Sequence, residues 1–288
     1  MGDFGMSWQR VEIGDFFASE ADLEKYLLER EIIQSQIATL TRPKSAVVLV
    51  LEDDPVSFLA VTFYLMQRVG AVILGTKKWG SKEIEEAKKQ ASYCYEDGEI
   101  TPLPQTSFQS EKNNNLFKGD EYHFLIKTGG SSGKIKFARH SSKSLENAAN
   151  NLASYLHDEE QVSRLIQVEK LDNLTSISNV GGQDRCSFVI NTLISLPLYH
   201  VSGFMAVVRA LITGGKVRFL ERGNWKALIS ENFDFSQYYY SMVPAQVFEL
   251  LKKTEILDRL QSLRGIFIGG ATLSESSKQI LREHGLPV

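Results

Sequence analysis

The sequence predicts an α/β protein made of doubly wound sheets, and three observations carry that expectation. Short apolar runs recur at 46–51, 71–74, 122–126, 189–198 and 265–268, separated by stretches of helical periodicity. The first two runs flank a helix-length segment that opens on Asp54-Pro55 and closes on Gly70, which makes a parallel strand–helix–strand unit. The runs are nearly continuous and do not alternate, so the sheet is expected to be covered on both faces.

Taken in order, residues 1–43 hold one helical pattern, with Leu23, Tyr26, Leu27, Ile32, Ile33 and Ile37 as its apolar side, and read as a packing arm. Residues 44–120 form the first α/β unit: strand 46–51, helix 56–69, strand 71–74, surface helix 82–90, then a polar loop over 96–120. Residues 121–143 are a strand–loop–strand hairpin, with 135–138 as its outgoing strand. A helix starts at Ser144 and carries Leu145, Ala149, Leu152 and Leu156 on one face. Residues 158–185 are poorly patterned and read as a surface insertion. The second α/β unit, 186–288, has a strand at 189–198 and a helix 203–213 capped by Ser202 and ended by Gly214-Gly215. Strands follow at 216–220, 238–243 and 265–268, with a helix at 244–253. Tyr238, Tyr239 and Tyr240 are strand packing residues. Ser276 and Gln279 form a capping box for a helix reaching His284, Gly285 closes it, and 286–288 resemble the start of another buried strand.

Composition narrows the function. With 43% apolar and 23% charged residues the chain can build a large core. A net charge of −3, with scattered lysines and arginines, lacks the basic stripe of a nucleic-acid or anionic-membrane binder. Two distant cysteines, Cys94 and Cys186, suit neither a disulfide scaffold nor a zinc site and fit a reducing compartment. The acidic N-terminus and the absence of any apolar run near ~18 residues argue against a signal peptide or a membrane span, so a cytoplasmic location is expected. Gly2 lacks the hydroxyl at position six that myristoylation requires, because Met6 stands there.

The most informative stretch is 127–137. Gly129, Gly130 and Gly133 let backbone N–H groups turn toward an anion, Thr128, Ser131 and Ser132 add hydroxyl donors, and Lys134 and Lys136 bring charge. A Walker A loop would need glycine at 128, a hydroxyl residue at 135 and a helix immediately after. Here Thr128, Ile135 and a strand stand instead, so amides, hydroxyls and lysine must hold the anion without a helix dipole. A ligand-free Gly/Ser hairpin loop is the alternative, and the flanking strands and in-register lysine favour phosphate binding over it. Ligands in doubly wound sheets bind beyond the carboxyl ends of strands, where His200 and Gly269-Gly270 also fall. On residues alone His200 reads first as a core or capping histidine, Ser202 as a helix cap that can also line a pocket, and Gly269-Gly270 as a tight strand exit or a backbone approach to a ligand, which need the same permissiveness.

Four segments, in order, resemble the adenylate-forming acyl-CoA synthetase superfamily. They are the phosphate-loop sequence from Thr128 to Lys136, the pocket segment Leu196-Pro197-Leu198-Tyr199-His200-Val201-Ser202-Gly203, Val243-Pro244 at a helix start, and the adenine-side loop Gly269-Gly270-Ala271. Pocket segment and loop are most similar to the o-succinylbenzoate–CoA ligase branch, of menaquinone and phylloquinone synthesis. Ile135 departs from the superfamily's proline and Phe137 from its glycine.

The resemblance implies an incomplete adenylate-forming N-terminal domain spanning 1–288 with the C-terminal lid domain absent, since the family's magnesium-holding acid, ribose-binding aspartate and lid lysine would follow Val288. It implies an ATP-dependent, AMP-forming acid–CoA ligase using ATP, Mg2+ and coenzyme A on a small-molecule carboxylic acid. A homo-oligomer is compatible with it. Lys136 and His200 are implied as catalytic. Thr128, Gly129, Gly130, Ser131, Ser132, Gly133 and Lys136 are implied to hold the ATP phosphates. His200, Ser202, Gly203, Gly269, Gly270, Ala271 and Thr272 would line the substrate and adenine side, and no residue is assigned to a metal. A ligase for another aryl or fatty acid, or a catalytically incompetent nucleotide- or acyl-binding fragment, is the alternative, and little thioester is expected from these 288 residues.

Overall fold

The computed structural model describes residues 13–37, 45–104, 121–128, 135–171, 188–220 and 233–288. Two sheets organise them. The first contains β1 (Val47–Leu51), β2 (Ala71–Gly75), β3 (Tyr93–Glu96), β4 (Glu99–Pro102), β5 (His123–Thr128) and β6 (Lys136–Ser141), in the order β4-β3-β1-β2-β5-β6. Its central strands run parallel, and β4 and β6 close the two edges antiparallel. The second contains β7 (Asn191–Ile194), β8 (Val217–Phe219), β9 (Tyr238–Met242) and β10 (Gly265–Ile268), all parallel, in the order β10-β9-β7-β8.

The helices are α1 (Glu20–Ile37), α2 (Pro55–Met66), α3 (Ser81–Lys88), α4 (Ser142–Leu171), α5 (Val201–Thr213), α6 (Pro244–Leu250), α7 (Thr254–Gln261) and α8 (Glu275–Glu283). Burial sorts them into layers. Val48, Val50, Val72, Leu74, Phe124 and Ile126 of the first sheet share one core with α1, α2 and α5, and Ile194 and Val217 of the second sheet join the same core. The opposite face of the first sheet, through Val47, Leu49, Leu51 and Ile73, packs on Ala87 of α3. The opposite face of the second, through Leu193, Tyr240, Met242 and Ile266, packs on α6, α7 and α8. A shared helical layer therefore lies between the sheets, and Phe124 of β5 meets Phe204 of α5 across it at 4.8 Å between centroids.

The strand–helix–strand unit is present as expected. Asp54 caps α2 by accepting from Val56 N at 3.1 Å and Ser57 N at 2.9 Å, Pro55 fills the first turn, and Lys25 of α1 pairs with the same carboxylate at 2.7 Å. Several expectations need correction. Helix α2 stops at Met66 because Gly70 N already donates to Ala46 O at 2.9 Å, which starts β2. Along α1 only Tyr26, Ile33 and Ile37 are buried, while Leu27 and Ile32 face outward at 46% and 40% exposure. The polar stretch from 96 contains a hairpin, turned by Asp97 and Gly98 with φ of 52° and 82°.

Helix α4 starts at Ser142 and continues to Leu171, so 158–171 are helix where the sequence read as poorly patterned. Residues 172–187, Cys186 among them, lie outside the described residues. The extension is anchored by Glu160, whose Oε1 accepts from Arg264 Nε and Nη2 at 2.9 and 2.8 Å. At α8 the cap is Ser274, accepting from Ser277 N at 3.1 Å, not Ser276. Beyond Gly285 (φ 62°), Pro287 O accepts from Ile266 N at 2.6 Å, so 286–288 lie along β10 without forming a strand. Among the described residues no helix is long and apolar enough to cross a membrane.

Candidate functional site

Among the described residues, Thr128, His200 and Gly269 each follow or end a parallel strand at its carboxyl end. Thr128 ends β5 and Lys136 begins β6, and the two are register partners, with Thr128 Oγ1 donating to Lys136 O at 3.3 Å. Both side chains are exposed at the open end of an antiparallel hairpin, which rules out the helix of a Walker loop at this place. Gly129, Gly130, Ser131, Ser132 and Gly133 lie outside the described residues. The preceding register pair, Lys127 and Phe137, faces the other way, onto Trp79.

The segment 196–200 makes a tight turn out of β7, closed by His200 N donating to Pro197 O at 3.1 Å. His200 is exposed, which excludes a core histidine, and its ring lies 4.5 Å from that of Tyr199. It occupies the cap position of α5 without a side-chain capping bond. Ser202, expected as the cap, instead sits inside the first turn of α5. The helix begins earlier because Gly203 closes against the turn: a Cβ there would lie 2.2 Å from Pro197 O and 2.8 Å from Leu196 O. Glycine at this position is thus a packing requirement that brings the pocket segment onto its helix.

Gly269 and Gly270 leave β10, with Gly269 N donating to Met242 O at 3.1 Å and Gly270 at φ 84°. Ala271 and Thr272 follow, exposed. In the order β10-β9-β7-β8 this loop stands two strands from the His200 turn, roughly 10 Å along the same edge.

A cavity of about 530 Å³ opens between the two sheets, in the size range of small-molecule pockets. Its apolar walls include Phe58, Ile194, Leu198, Tyr199, Phe219 and Leu220, and Glu52, Asp53 and Lys78 stand at its polar side. It shares Tyr199 and the 196–198 turn with the predicted site but is not lined by Thr128, Lys136, His200 or Gly269–Thr272. Glu52 and Asp53 make it a poor host for an anionic acid, although both carboxylates also serve the fold: Glu52 Oε1 accepts from Asp53 N and Asp54 N at 2.7 and 2.9 Å, and Asp53 Oδ1 accepts from Thr76 Oγ1.

The residue that sequence reasoning missed is Arg209. It lies on the inner face of α5 with its guanidinium carbon 5.1 Å from the centroid of Phe267, next to the end of β10. Its enclosed Nε meets no hydrogen-bond partner among the described residues, and no carboxylate pairs with it there. Burial pushes its pKa below the ordinary arginine value. The register puts Thr192 and Ser241 on the same sheet face as Phe267, and their buried hydroxyls are equally unpartnered among the described residues. Buried polar atoms are ordinarily hydrogen-bonded, so these three stand out on the side of the second sheet that faces α5. A lone arginine inside the apolar run from Phe204 to Ile212 is the sequence signal that could have disclosed it.

Solved structures share this fold. O-succinylbenzoate coenzyme A synthetase from Bacillus subtilis, in complex with AMP, superposes with a TM-score of 0.60 over 92% of this chain and 65% of that one, at 17% identity. The fold is that of the N-terminal part of these synthetases. The N-terminal domain of FACL13 from Mycobacterium tuberculosis, at 14% identity, gives the same TM-score of 0.60 over 91% of this chain and 66% of its own. In sequence, the 2-succinylbenzoate–CoA ligase of Staphylococcus aureus strain MRSA252 is 31% identical over 113 residues, 38% of this chain and 23% of that relative. The resemblance to adenylate-forming enzymes read from the motifs is thus met by both sequence and fold. The matched stretch is under a quarter of the curated relative's length. No protein-family model matches the chain.

Proposed function

We propose that this chain carries the nucleotide- and acid-binding part of an ATP-dependent acid–CoA ligase acting on 2-succinylbenzoate or a similar aryl dicarboxylate. The observation that carries the reading is the register pair Thr128 and Lys136 at the open end of the β5–β6 hairpin, joined by a sequence rich in glycine and hydroxyl residues. In the proposed reaction a carboxylate oxygen of the acid attacks the α-phosphorus of ATP and the bond to the β-phosphate bridge oxygen breaks, releasing pyrophosphate. The sulfur of coenzyme A then attacks the acyl carbon, loses its proton, and AMP leaves.

The first step crowds anions together, so the protein's contribution is positioned positive charge and donors. Lys136, Thr128 and the loop residues Gly129, Gly130, Ser131, Ser132 and Gly133 would stabilise the departing pyrophosphate without any protein nucleophile. His200 would stand beside the reacting carboxylate, with Ser202 and Gly203 behind it. Gly269, Gly270, Ala271 and Thr272 would let the adenine approach the backbone. Mg2+ enters as part of the MgATP substrate. Among the described residues no group of three or more His, Cys, Asp or Glu is placed to hold a metal, and magnesium on a nucleotide needs only one or two carboxylates beside its phosphates.

Arg209 supports the substrate class. A 2-succinylbenzoate has two carboxylates, and when one is adenylated the other still needs a counter-charge. Arg209, with Thr192 and Ser241 on the facing sheet, offers a cation and two hydroxyls. The test is acid-dependent turnover by the 288-residue chain with MgATP and coenzyme A, run beside calorimetric binding of each ligand. Binding of MgATP and 2-succinylbenzoate supports the reading. Binding or turnover only with monocarboxylic acids would overturn the substrate class.

A further inference from the structure

Trp79 occupies a position that the nucleotide and acid contacts leave unexplained. It lies in the short connection after β2, buried at 9% exposure, with its backbone N–H donating to Thr76 O at 3.2 Å. Three elements converge on its indole. Lys127 of β5 places its ammonium 5.5 Å from the ring centroid, Phe137 of β6 lies at 6.1 Å between centroids, and Tyr199 meets it edge-on at 6.2 Å. Lys127 and Phe137 are the register pair immediately inside Thr128 and Lys136. Tyr199 carries His200 next to it, ring against ring. One buried side chain thus touches both strands at the base of the phosphate loop and the turn that presents the histidine.

The electrostatics fit a fixed support. Glu83 of α3 makes an ion pair with Lys127, and its other oxygen accepts from Gly80 N at 2.7 Å, which ties the start of α3 to the same lysine. The hydrogen bond from Lys127, then that from Gly80, holds the Glu83 carboxyl below its ordinary range. Lys127 is thereby held by Glu83 and the indole face, and Lys136 on the opposite side of the hairpin is left to meet the anion.

We infer that Trp79 is a positioning residue, which sets the phosphate-loop hairpin and the His200 turn in fixed relation while touching no ligand itself. The inference rests on the nucleotide-binding reading above. Its test is MgATP binding to the full chain, measured calorimetrically well below the melting temperature. Trp79→Ala should weaken MgATP about tenfold, and Trp79→Phe, which keeps a ring against Phe137 and Tyr199, should restore affinity to within about threefold of the parent. Glu83→Gln, at a half-exposed site that does not threaten folding, releases Lys127 and should weaken MgATP about threefold. Combined with Trp79→Ala it should add less than its separate effect, because both act on one support. If the parent binds MgATP and neither Trp79→Ala nor Glu83→Gln changes affinity by more than twofold, the inference falls and the nucleotide reading stands. If the parent itself does not bind MgATP, the nucleotide reading falls and takes this inference with it. Should Trp79→Ala not fold, Glu83→Gln decides alone.

Discussion

Replacing Gly203 by alanine tests how the pocket segment is held, and the structure sets the size of the effect. The new methyl carbon would lie 2.2 Å from Pro197 O, 2.7 Å from Pro197 C and 2.8 Å from Leu196 O, all backbone atoms that cannot swing aside. Separations under 3.0 Å are essentially never seen for real Cβ atoms, so either the 196–200 turn or the first turn of α5 must move. Overpacking of this kind costs about 1–3 kcal/mol, and alanine's better helix propensity returns up to ~1 kcal/mol. A net loss of about 1–2 kcal/mol corresponds to a fall in melting temperature of roughly 2–8 °C for a chain of this size. The same displacement moves His200 and should weaken 2-succinylbenzoate more than MgATP. Gly269→Ala is the matched control: nothing lies within 4 Å of a Cβ there, so its melting temperature should be unchanged while its nucleotide affinity falls if the backbone approaches adenine. Circular dichroism melts and calorimetry read both variants. A Gly203→Ala protein as stable as the parent, with unaltered acid affinity, would refute the reasoning.

Four further outcomes follow from the same geometry. Lys136→Ala should weaken MgATP about 10–100-fold in a calorimetric titration, the loss expected for a charge-assisted contact, with little change in melting temperature at so exposed a site. Arg209→Met removes a desolvated cation and should leave the melting temperature equal or raised while 2-succinylbenzoate binding is lost, so a fall in stability with intact acid binding would count against the assigned role. Asp54→Ala should cost about 1 kcal/mol, seen in denaturant melts, and Asp54→Asn less because it still caps α2. Burial opposes ionisation of Asp54, but hydrogen bonds from Lys25 and Ser57 outweigh it and lower its pKa below 3.8, so its ionic contribution is full above about pH 4 and the gap between parent and variant should shrink as pH drops below that. Burial pushes the Cys94 thiol to about 11, so Cys94 should resist alkylation at pH 8 until the protein unfolds, as peptide-level mass spectrometry would show.

Much of the fold was legible because local and long-range signals agreed. The run 46–51, the Asp54-Pro55 cap and the run from Ala71 specify a parallel unit in which every residue of β1 and β2 is buried. Where they disagreed, the reading failed. Asp97-Gly98 is a hairpin signal, but the prolines at 102 and 104 and the polar residues beyond drew the whole stretch into one loop. The far part of α4 opens on the charged run Asp158-Glu159-Glu160, which masked the helical spacing of Val162, Leu165 and Ile166, and Arg264 beside Glu160 comes from over a hundred positions away. Ser202 is the better capping residue by type, yet Gly203 packing on Pro197 starts the helix at Val201 and leaves the cap position to His200. The strand ends at Thr128 and Lys136 and the turn before His200 could be read from motif and strand order. Arg209 could not be weighed without knowing which face of α5 is buried, and Trp79 acquires meaning only from three partners distant in sequence.

The most direct measurement is a calorimetric titration of the 288-residue chain with MgATP, and then with 2-succinylbenzoate, beside Lys136→Ala and Arg209→Met. The account predicts that the parent binds both ligands, that Lys136→Ala loses chiefly the nucleotide, and that Arg209→Met loses chiefly the acid. A parent that binds neither ligand, or variants whose losses fall on the opposite ligand, would contradict it.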